Sequence, residues 1–205
     1  MLVVAASAVW PRTARAASSP ATTILVLGDS LSAEYGLTRG SGWVALLGAR
    51  LAQAKIAASV VNASISGDTT SGGRSRLPAL LAQHRPGVVV IELGGNDALR
   101  GLPLAMTRDN LTTMAQAAKA AGAKVLIAGM QLPPNYGRQY SDEFAGLFAT
   151  VAKAEHAALV PFLLKGVADG PQADTMFQAD RIHPVAAAHP VILDNVWPVL
   201  KPLLR

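Results

Sequence analysis

The chain has 205 residues, 51% hydrophobic and 15% charged, enough length and apolar content for one packed domain and too apolar for a disordered chain. Its formal charge is +5, of which Arg12 and Arg15 supply two; residues 18–205 carry 16 Lys and Arg against 13 Asp and Glu, a net +3 with no dense basic run to hold a nucleic acid. Aromatics at 5% give no stacking platform for single strands, and the absence of cysteine excludes a disulfide framework, a thiolate zinc site and a thiol nucleophile.

The first seventeen residues, MLVVAASAVWPRTARAA, read as an export signal rather than part of the fold. Residues 2–9 form an apolar stretch, and Ala14-Arg15-Ala16 places small residues at both positions that a signal peptidase inspects. No Lys or Arg stands between Met1 and that stretch, a departure from the usual pattern. It is also too short for a bilayer, which takes about 20 apolar residues. Cleavage near Ala16 and a periplasmic or secreted protein, without stable membrane insertion, are the expectations.

A Ser/Pro/Thr linker, 18–23, leads into a single domain over 24–205. Short β-rich apolar runs lie at 24–27, 59–62, 88–93 and 125–128, with a weaker one at 158–162. Helical spacing fills 43–54, 73–83, 104–121 and 141–155; a last helical segment, 186–204, contains Pro190 and Pro198. Strands alternating with helices predict βαβ units, a mainly parallel sheet and an α/β fold. Parallel strands are covered on both faces and read as unbroken apolar runs, as "GVVVIEL" at 87–93 does.

In such a sheet the ligand crevice lies outside the carboxyl ends of the strands. There the sequence collects small and amide-bearing residues: Gly28-Asp29-Ser30, Ser66-Gly67-Asp68, Gly94-Gly95-Asn96-Asp97 and Gly129-Met130-Gln131. A serine attacks only with a base beside it and an acid to orient that base. Of the four histidines, His84 and His156 end helical stretches, where a cation suits the helix dipole. His183 has Asp180 three residues before it and Pro184 after it. An acid at that spacing can fold back onto one ring nitrogen, leaving the other to take a serine proton. His189-Pro190 repeats the pair without the acid and ranks second. For an oxyanion, the donors at hand are the N–H of Gly67, the side-chain amide of Asn96 and the N–H of Ser30 at the start of a helical turn. Taken singly, each also fits a plainer role: a turn glycine, a capping asparagine, a serine after a strand. Asp29 reads as a turn former, and Asp68 and Asp97 as caps of the helices that follow them.

Four stretches in this order, "GDSLS" at Ser30, "NASISGDT" at Gly67, "ELGGND" at Asn96 and "DRIHP" at Asp180 and His183, resemble the SGNH (GDSL) hydrolase family. The likeness runs from about Thr22 to near the C-terminus. It is greatest to the bacterial multifunctional thioesterase I/protease I/lysophospholipase (arylesterase) group, through "VVNASISGDTTSGG", "RLPALLAQHRP", "IELGGNDALRG" and "LPPNYGRQY". The resemblance implies a flavodoxin-like three-layer α/β/α sandwich with about five parallel strands. It implies Ser30 as nucleophile, His183 as base and Asp180 as its orienting acid, with Ser30, Gly67 and Asn96 as the oxyanion hole. It also implies substrate-binding loops at Leu99, Arg100 and Leu102 and at Leu132, Pro133 and Tyr136. Gln131 and His189 depart from the group, which has arginine and glutamine there, and are read as able to change the preferred head group.

The expected activity is serine-based hydrolysis of acyl esters or thioesters, of aryl or alkyl ester, lysophospholipid or acyl-CoA type, through an acyl-enzyme. No metal or cofactor is implied, nor nucleic acid, and a monomer is expected. Two other readings stay open: an acetyl esterase on carbohydrate or short aryl esters, and a non-catalytic lipid-binding relative. A phosphate- or nucleotide-binding module is disfavoured, because Gly-x-Gly-x-x-Gly and Walker A patterns are absent.

Overall fold

A computed structural model describes residues 22–205. The expected export signal at 1–17 and the linker residues 18–21 lie outside the described residues.

Five strands, β1 (Thr22–Gly28), β2 (Ala58–Asn62), β3 (Val88–Glu92), β4 (Lys124–Ala128) and β5 (Ala158–Val160), form one parallel sheet in the order β2-β1-β3-β4-β5. Seven α-helices join and cover them: α1 (Trp43–Gln53), α2 (Thr70–His84), α3 (Gly95–Leu99), α4 (Leu104–Ala120), α5 (Arg138–Ala154), α6 (Ala173–Met176) and α7 (His189–Leu200). This is the flavodoxin-like order, with helices on both faces of the sheet.

The alternation of side chains along each strand divides the core in two. Leu25, Leu27, Val89, Ile91, Val125 and Ile127 face α2, α4 and α5 and pack with Leu77, Leu111, Met114, Phe144 and Phe148. Ile24, Val26, Val88, Val90, Leu126 and Ala128 face α1 and α7, against Trp43, Leu47, Ile192 and Val196. Each such side chain, fully buried, contributes roughly 1.5–3 kcal/mol. In α2, Gly73 lies against the sheet side chains; a Cβ there would stand 2.2 Å from Leu93 Cδ1.

The expected elements are all present, and β1 begins two residues early, inside the expected linker. Two short helices were not anticipated. Gly94-Gly95-Asn96 reads as loop, yet α3 forms there, and α6 lies in a stretch with no helical period. The prolines divide the last segment: a 3-10 turn at Ala186–Ala188 precedes α7, and another at Lys201–Leu204 follows it. Pro190 sits in the first turn of α7, where its missing N–H costs nothing, while Pro198 lies inside the helix.

The chain runs from β1 to β2 on one side, then crosses back to β3 on the other. Helices therefore diverge to opposite faces beyond the ends of β1 and β3, and a crevice opens there.

Candidate active site

Ser30 lies just past β1 at this crevice, half-buried. Asp29 shapes its turn: Oδ1 accepts the Leu31 N–H at 3.0 Å, and its carbonyl accepts the Ala33 N–H at 3.0 Å. Successive turns follow over residues 30–36, and α1 starts only at Trp43. A single helical turn closes at Ser30 through that Ala33 bond, and no regular helix follows until α1.

His183 reaches Ser30 from the opposite end of the chain. The turn that carries it is pinned by an antiparallel bridge between Phe177 and Pro184 and by the Gln178 N–H, which donates to the His183 carbonyl at 2.8 Å. Gln178 Nε2 donates to the carbonyls of Tyr35 (2.9 Å) and Pro184 (3.1 Å), tying the serine and histidine turns together. Asp180 Oδ1 accepts the N–H of Ile182 at 2.9 Å and of His183 at 3.0 Å; Oδ2 lies 2.7 Å from His183 Nδ1. The backbone N–H of His183, with its ring beside it, holds the Asp180 carboxyl down to about 2. A carboxylate facing Nδ1 fixes the proton on that nitrogen and leaves the Nε2 lone pair for Ser30 Oγ, 2.9 Å away. The Tyr35 ring packs over His183, centroids 4.2 Å apart and planes at 37°.

Two loops complete the crevice. After β2, the Ile65 N–H donates to the Gly28 carbonyl at 3.0 Å, docking that loop against the end of β1. Gly67 follows with φ +78°, a left-handed conformation that glycine adopts without strain. Its carbonyl accepts Arg100 Nη2 at 2.7 Å. Among the described residues, the N–H groups of Ser30 and Gly67 have no acceptor within the protein. After β3, Asn96 enters on α3, and Nδ2 donates to Asp29 Oδ2 at 3.0 Å and to the Asp68 carbonyl at 2.9 Å. Both amide hydrogens are thus engaged in the resting site, and an oxyanion would share one of them.

The capping role expected of Asp68 falls to Thr69, whose hydroxyl accepts the Gly72 N–H at 3.3 Å as the N-cap of α2. Asp68 Oδ1 accepts the Thr69 N–H at 2.9 Å where α2 begins, and Oδ2 pairs with Arg76 Nε at 2.8 Å. Asp97 serves α2 rather than a helix after it, accepting the Thr70 N–H at 2.9 Å and hydroxyl at 2.5 Å.

Of the expected substrate-binding residues, Leu99, Arg100 and Leu102 lie on α3 and the turn after it. Leu132, Pro133 and Tyr136 lie between β4 and α5, at the end of the neighbouring strand. The Tyr140 hydroxyl links the two stretches, donating to the Ala98 carbonyl at 3.4 Å. Leu132 packs partly into the core, whereas Tyr136 is exposed. Gln131 is exposed in the same stretch. His189 is different: 2% exposed, it accepts the Trp43 N–H on Nδ1 at 3.0 Å. It caps α1 and is too buried to meet a head group, so that expectation is corrected, and its second rank as base falls with it.

Sequence reasoning passed over Glu92. It ends β3 with no solvent exposure, and Oε2 accepts the Ser32 hydroxyl at 2.6 Å and the Asp29 N–H at 3.3 Å. Ser32 Oγ in turn accepts from Trp43 Nε1 at 3.1 Å. The signal was present: a carboxyl inside an unbroken apolar strand is a buried polar group in need of partners.

Among the described residues no cluster of His, Asp and Glu is arranged to hold a metal ion, and no helix is long and apolar enough to cross a membrane. A hydroxyl, an imidazole and a carboxylate in series, beside two unpartnered backbone donors, suit acyl transfer to water. The cluster stands at the switch point of a doubly wound parallel sheet, and its chemistry is that of a hydrolase.

Residues 26–191 match the model of the GDSL-like lipase/acylhydrolase family. Esterase TesA of Pseudomonas aeruginosa is 59% identical over 184 residues, 90% of each chain. Thioesterase 1/protease 1/lysophospholipase L1 of Escherichia coli K12 is 46% identical over 188 residues, 92% of this chain and 88% of that one. The crystal structure of the psychrotrophic esterase EstA from a Pseudoalteromonas species, inhibited by monoethylphosphonate, superimposes with a TM-score of 0.83 at 39% identity, covering 89% of this chain and 98% of that one. The chain belongs to the GDSL-like lipase/acylhydrolase family and is a hydrolase of the esterase and thioesterase type.

Proposed function

We propose that the protein hydrolyses acyl esters and thioesters, with Ser30 as nucleophile, His183 as general base and acid, and Asp180 as the orienting acid. The observation that carries the reading is the series Ser30 Oγ to His183 Nε2 at 2.9 Å and His183 Nδ1 to Asp180 Oδ2 at 2.7 Å. Ser30 Oγ attacks the carbonyl carbon as Nε2 takes its proton. The tetrahedral oxyanion is held by the N–H groups of Ser30 and Gly67 and by the Asn96 amide. Collapse expels the alkoxide or thiolate, which leaves with the proton from His183. Water, deprotonated by His183, then attacks the acyl-enzyme, and the acid departs as the proton returns to Ser30.

The acyl chain lies between the α3 side (Leu99, Arg100, Leu102) and the stretch after β4 (Leu132, Pro133, Tyr136). These largely apolar residues favour medium or long chains, lysophospholipid and acyl-CoA included. Residues 24–205 act as a single monomeric domain that works outside the cytoplasm after cleavage near Ala16.

The test is initial rate on p-nitrophenyl esters from acetyl to palmitoyl, with palmitoyl-CoA alongside, for wild type and Ser30→Ala. Medium or long chains should be preferred and Ser30→Ala inert, with a phosphonate ester labelling Ser30 in the wild type alone. Cleavage of acetyl esters only would move the substrate to short acyl groups. No turnover and no label would leave a lipid-binding relative.

A further inference from the structure

Behind the nucleophile turn, two acids are buried on adjoining segments and tied together by a main-chain hydrogen bond. Asp29 is 2% exposed and Glu92 wholly buried, and the Asp29 N–H donates to Glu92 Oε2. The groups facing them come from every side of the turn. Glu92 meets Ser32 and Asp29. Asp29 accepts from Asn96 of α3, and the charges of His183 on the C-terminal turn and Asp68 on the loop after β2 act on it through space. Arg76 of α2 reaches the same turn, but its guanidinium is taken by Asp68 (2.8 Å) and by the carbonyls of Ala63 and of Gly28 (3.4 Å). No cation sits between the two carboxyls, so they cannot both be ionised in this medium.

Hydrogen bonding decides which one keeps a proton. Both oxygens of Asp29 accept: Oδ1 from the Leu31 N–H, Oδ2 from Asn96 Nδ2. A proton on Oδ2 would face the Asn96 amide hydrogen and push the amide away. Glu92 Oε2 also accepts, but Oε1 has no partner. A proton on Oε1 breaks no bond. We infer that Glu92 carries the proton of the pair and that Asp29 is a buried anion acting as a positioning residue, aiming the Asn96 amide at the oxyanion and facing His183 as a second negative charge. The direction of the shifts agrees: burial drives Glu92 well above the usual carboxyl range, while the Leu31 N–H, His183 and Asn96 hold Asp29 to about 6 against the same burial.

The effect on catalysis rests on the Ser30–His183 reading; the proton assignment does not. Asp29 must be ionised to hold the amide, so its protonation inhibits as pH falls. In wild type, kcat/KM should therefore show an inhibiting ionisation near pH 6 that belongs to Asp29. Asp29→Asn should lower kcat about 100-fold with little change in KM, the scale of a misplaced oxyanion donor, and remove that ionisation from the pH profile. Asn96→Ala combined with Asp29→Asn should be no worse than Asn96→Ala alone, because Asp29 acts through that amide. Glu92→Gln, a neutral isostere, should keep kcat within threefold and leave the pH profile unmoved, whereas Glu92→Leu should lose activity with the hydroxyl of Ser32 stranded. Infrared spectroscopy at pH 8 reads the assignment without turnover: a buried carboxylic acid band should be present in wild type and absent in Glu92→Gln. An acid limb unchanged in Asp29→Asn, full activity in Asp29→Asn, additive losses with Asn96→Ala, or the missing band would each overturn the inference. An inactive wild type that shows the band would instead count against the hydrolase assignment of Ser30 and His183.

Discussion

Asp180 holds His183 at two points: Oδ1 accepts its backbone N–H at 3.0 Å, and Oδ2 lies 2.7 Å from Nδ1 of its ring. One carboxylate thus fixes the position of the turn and the tautomer of the imidazole.

The two functions separate in Asp180→Asn. The amide oxygen keeps the backbone donors of Ile182 and His183, so the turn persists. The NH2 group then faces Nδ1, which must become an acceptor, and the ring proton moves to Nε2, the nitrogen that serves Ser30. We expect kcat/KM to fall by about 10³–10⁴ while the melting temperature changes by no more than a few degrees. A loss below tenfold would show that Asp180 does not set the tautomer.

Arg100 holds the Gly67 loop from outside. Its guanidinium holds the Gly67 carbonyl at 2.7 Å and so steadies the peptide whose N–H is unpartnered. The residue is exposed, so the bond contributes about 0.5–1.5 kcal/mol. Arg100→Ala should lower kcat about 2–10-fold and the melting temperature by a few degrees at most; an unchanged kcat would show that this bond does not steady the Gly67 peptide.

His189 makes stability depend on pH. Burial lowers its pKa below the ordinary histidine range, because the neutral ring accepts the Trp43 N–H and a charged ring cannot. The unfolded chain therefore binds a proton that the folded chain refuses, and stability falls as pH drops below about 6.5. His189→Gln keeps an acceptor for Trp43 without titrating. Its melting temperature relative to wild type should rise between pH 7 and pH 5; a constant difference would show that His189 does not titrate on unfolding.

Much of this was legible in sequence because parallel strands announce themselves as apolar runs and chemistry collects where they end. Ser30, Gly67 and Asn96 each follow a strand, and Asp180 stands one turn before His183. What escaped depends on partners distant in the chain. The Glu92 carboxyl looks like one polar residue in a strand until Ser32 and Asp29 are brought to it. His189 looks like a second His-Pro site until Trp43, far upstream, turns out to be its partner. The helical turn expected at Ser30 is closed by the Ala33 N–H on the Asp29 carbonyl and goes no further, since Asp29 satisfies the next donor with its side chain. Gly94 and Gly95 concealed α3, since their composition signals a loop while Asp97 anchors the segment to α2.

The approach of α2 to the sheet supplies a stability test remote from chemistry. Gly73 is one of the buried positions of that helix, and a Cβ would stand 2.2 Å from Leu93 Cδ1 and 3.3 Å from Met114 Sδ. Alanine has the better helix propensity, by about 1 kcal/mol, so on an isolated helix Gly73→Ala would stabilise. Here Leu93 is fully buried in a close-packed core, so either its Cδ1 methyl must change rotamer or α2 must shift outward, and the expected outcome is the helix shift. Overpacking of this kind costs about 1–3 kcal/mol and outweighs the propensity gain at its upper end. We expect the melting temperature to fall by roughly 2–8 °C. Because the start of α2 is tied to Asp68 through the Thr69 N–H and to Asp97 through the Thr70 N–H, the same shift should disturb the Gly67 loop and lower kcat. A stabilised variant with unchanged kcat would mean that the Leu93 side chain finds another rotamer and that the packing between α2 and β3 is looser than the contact implies.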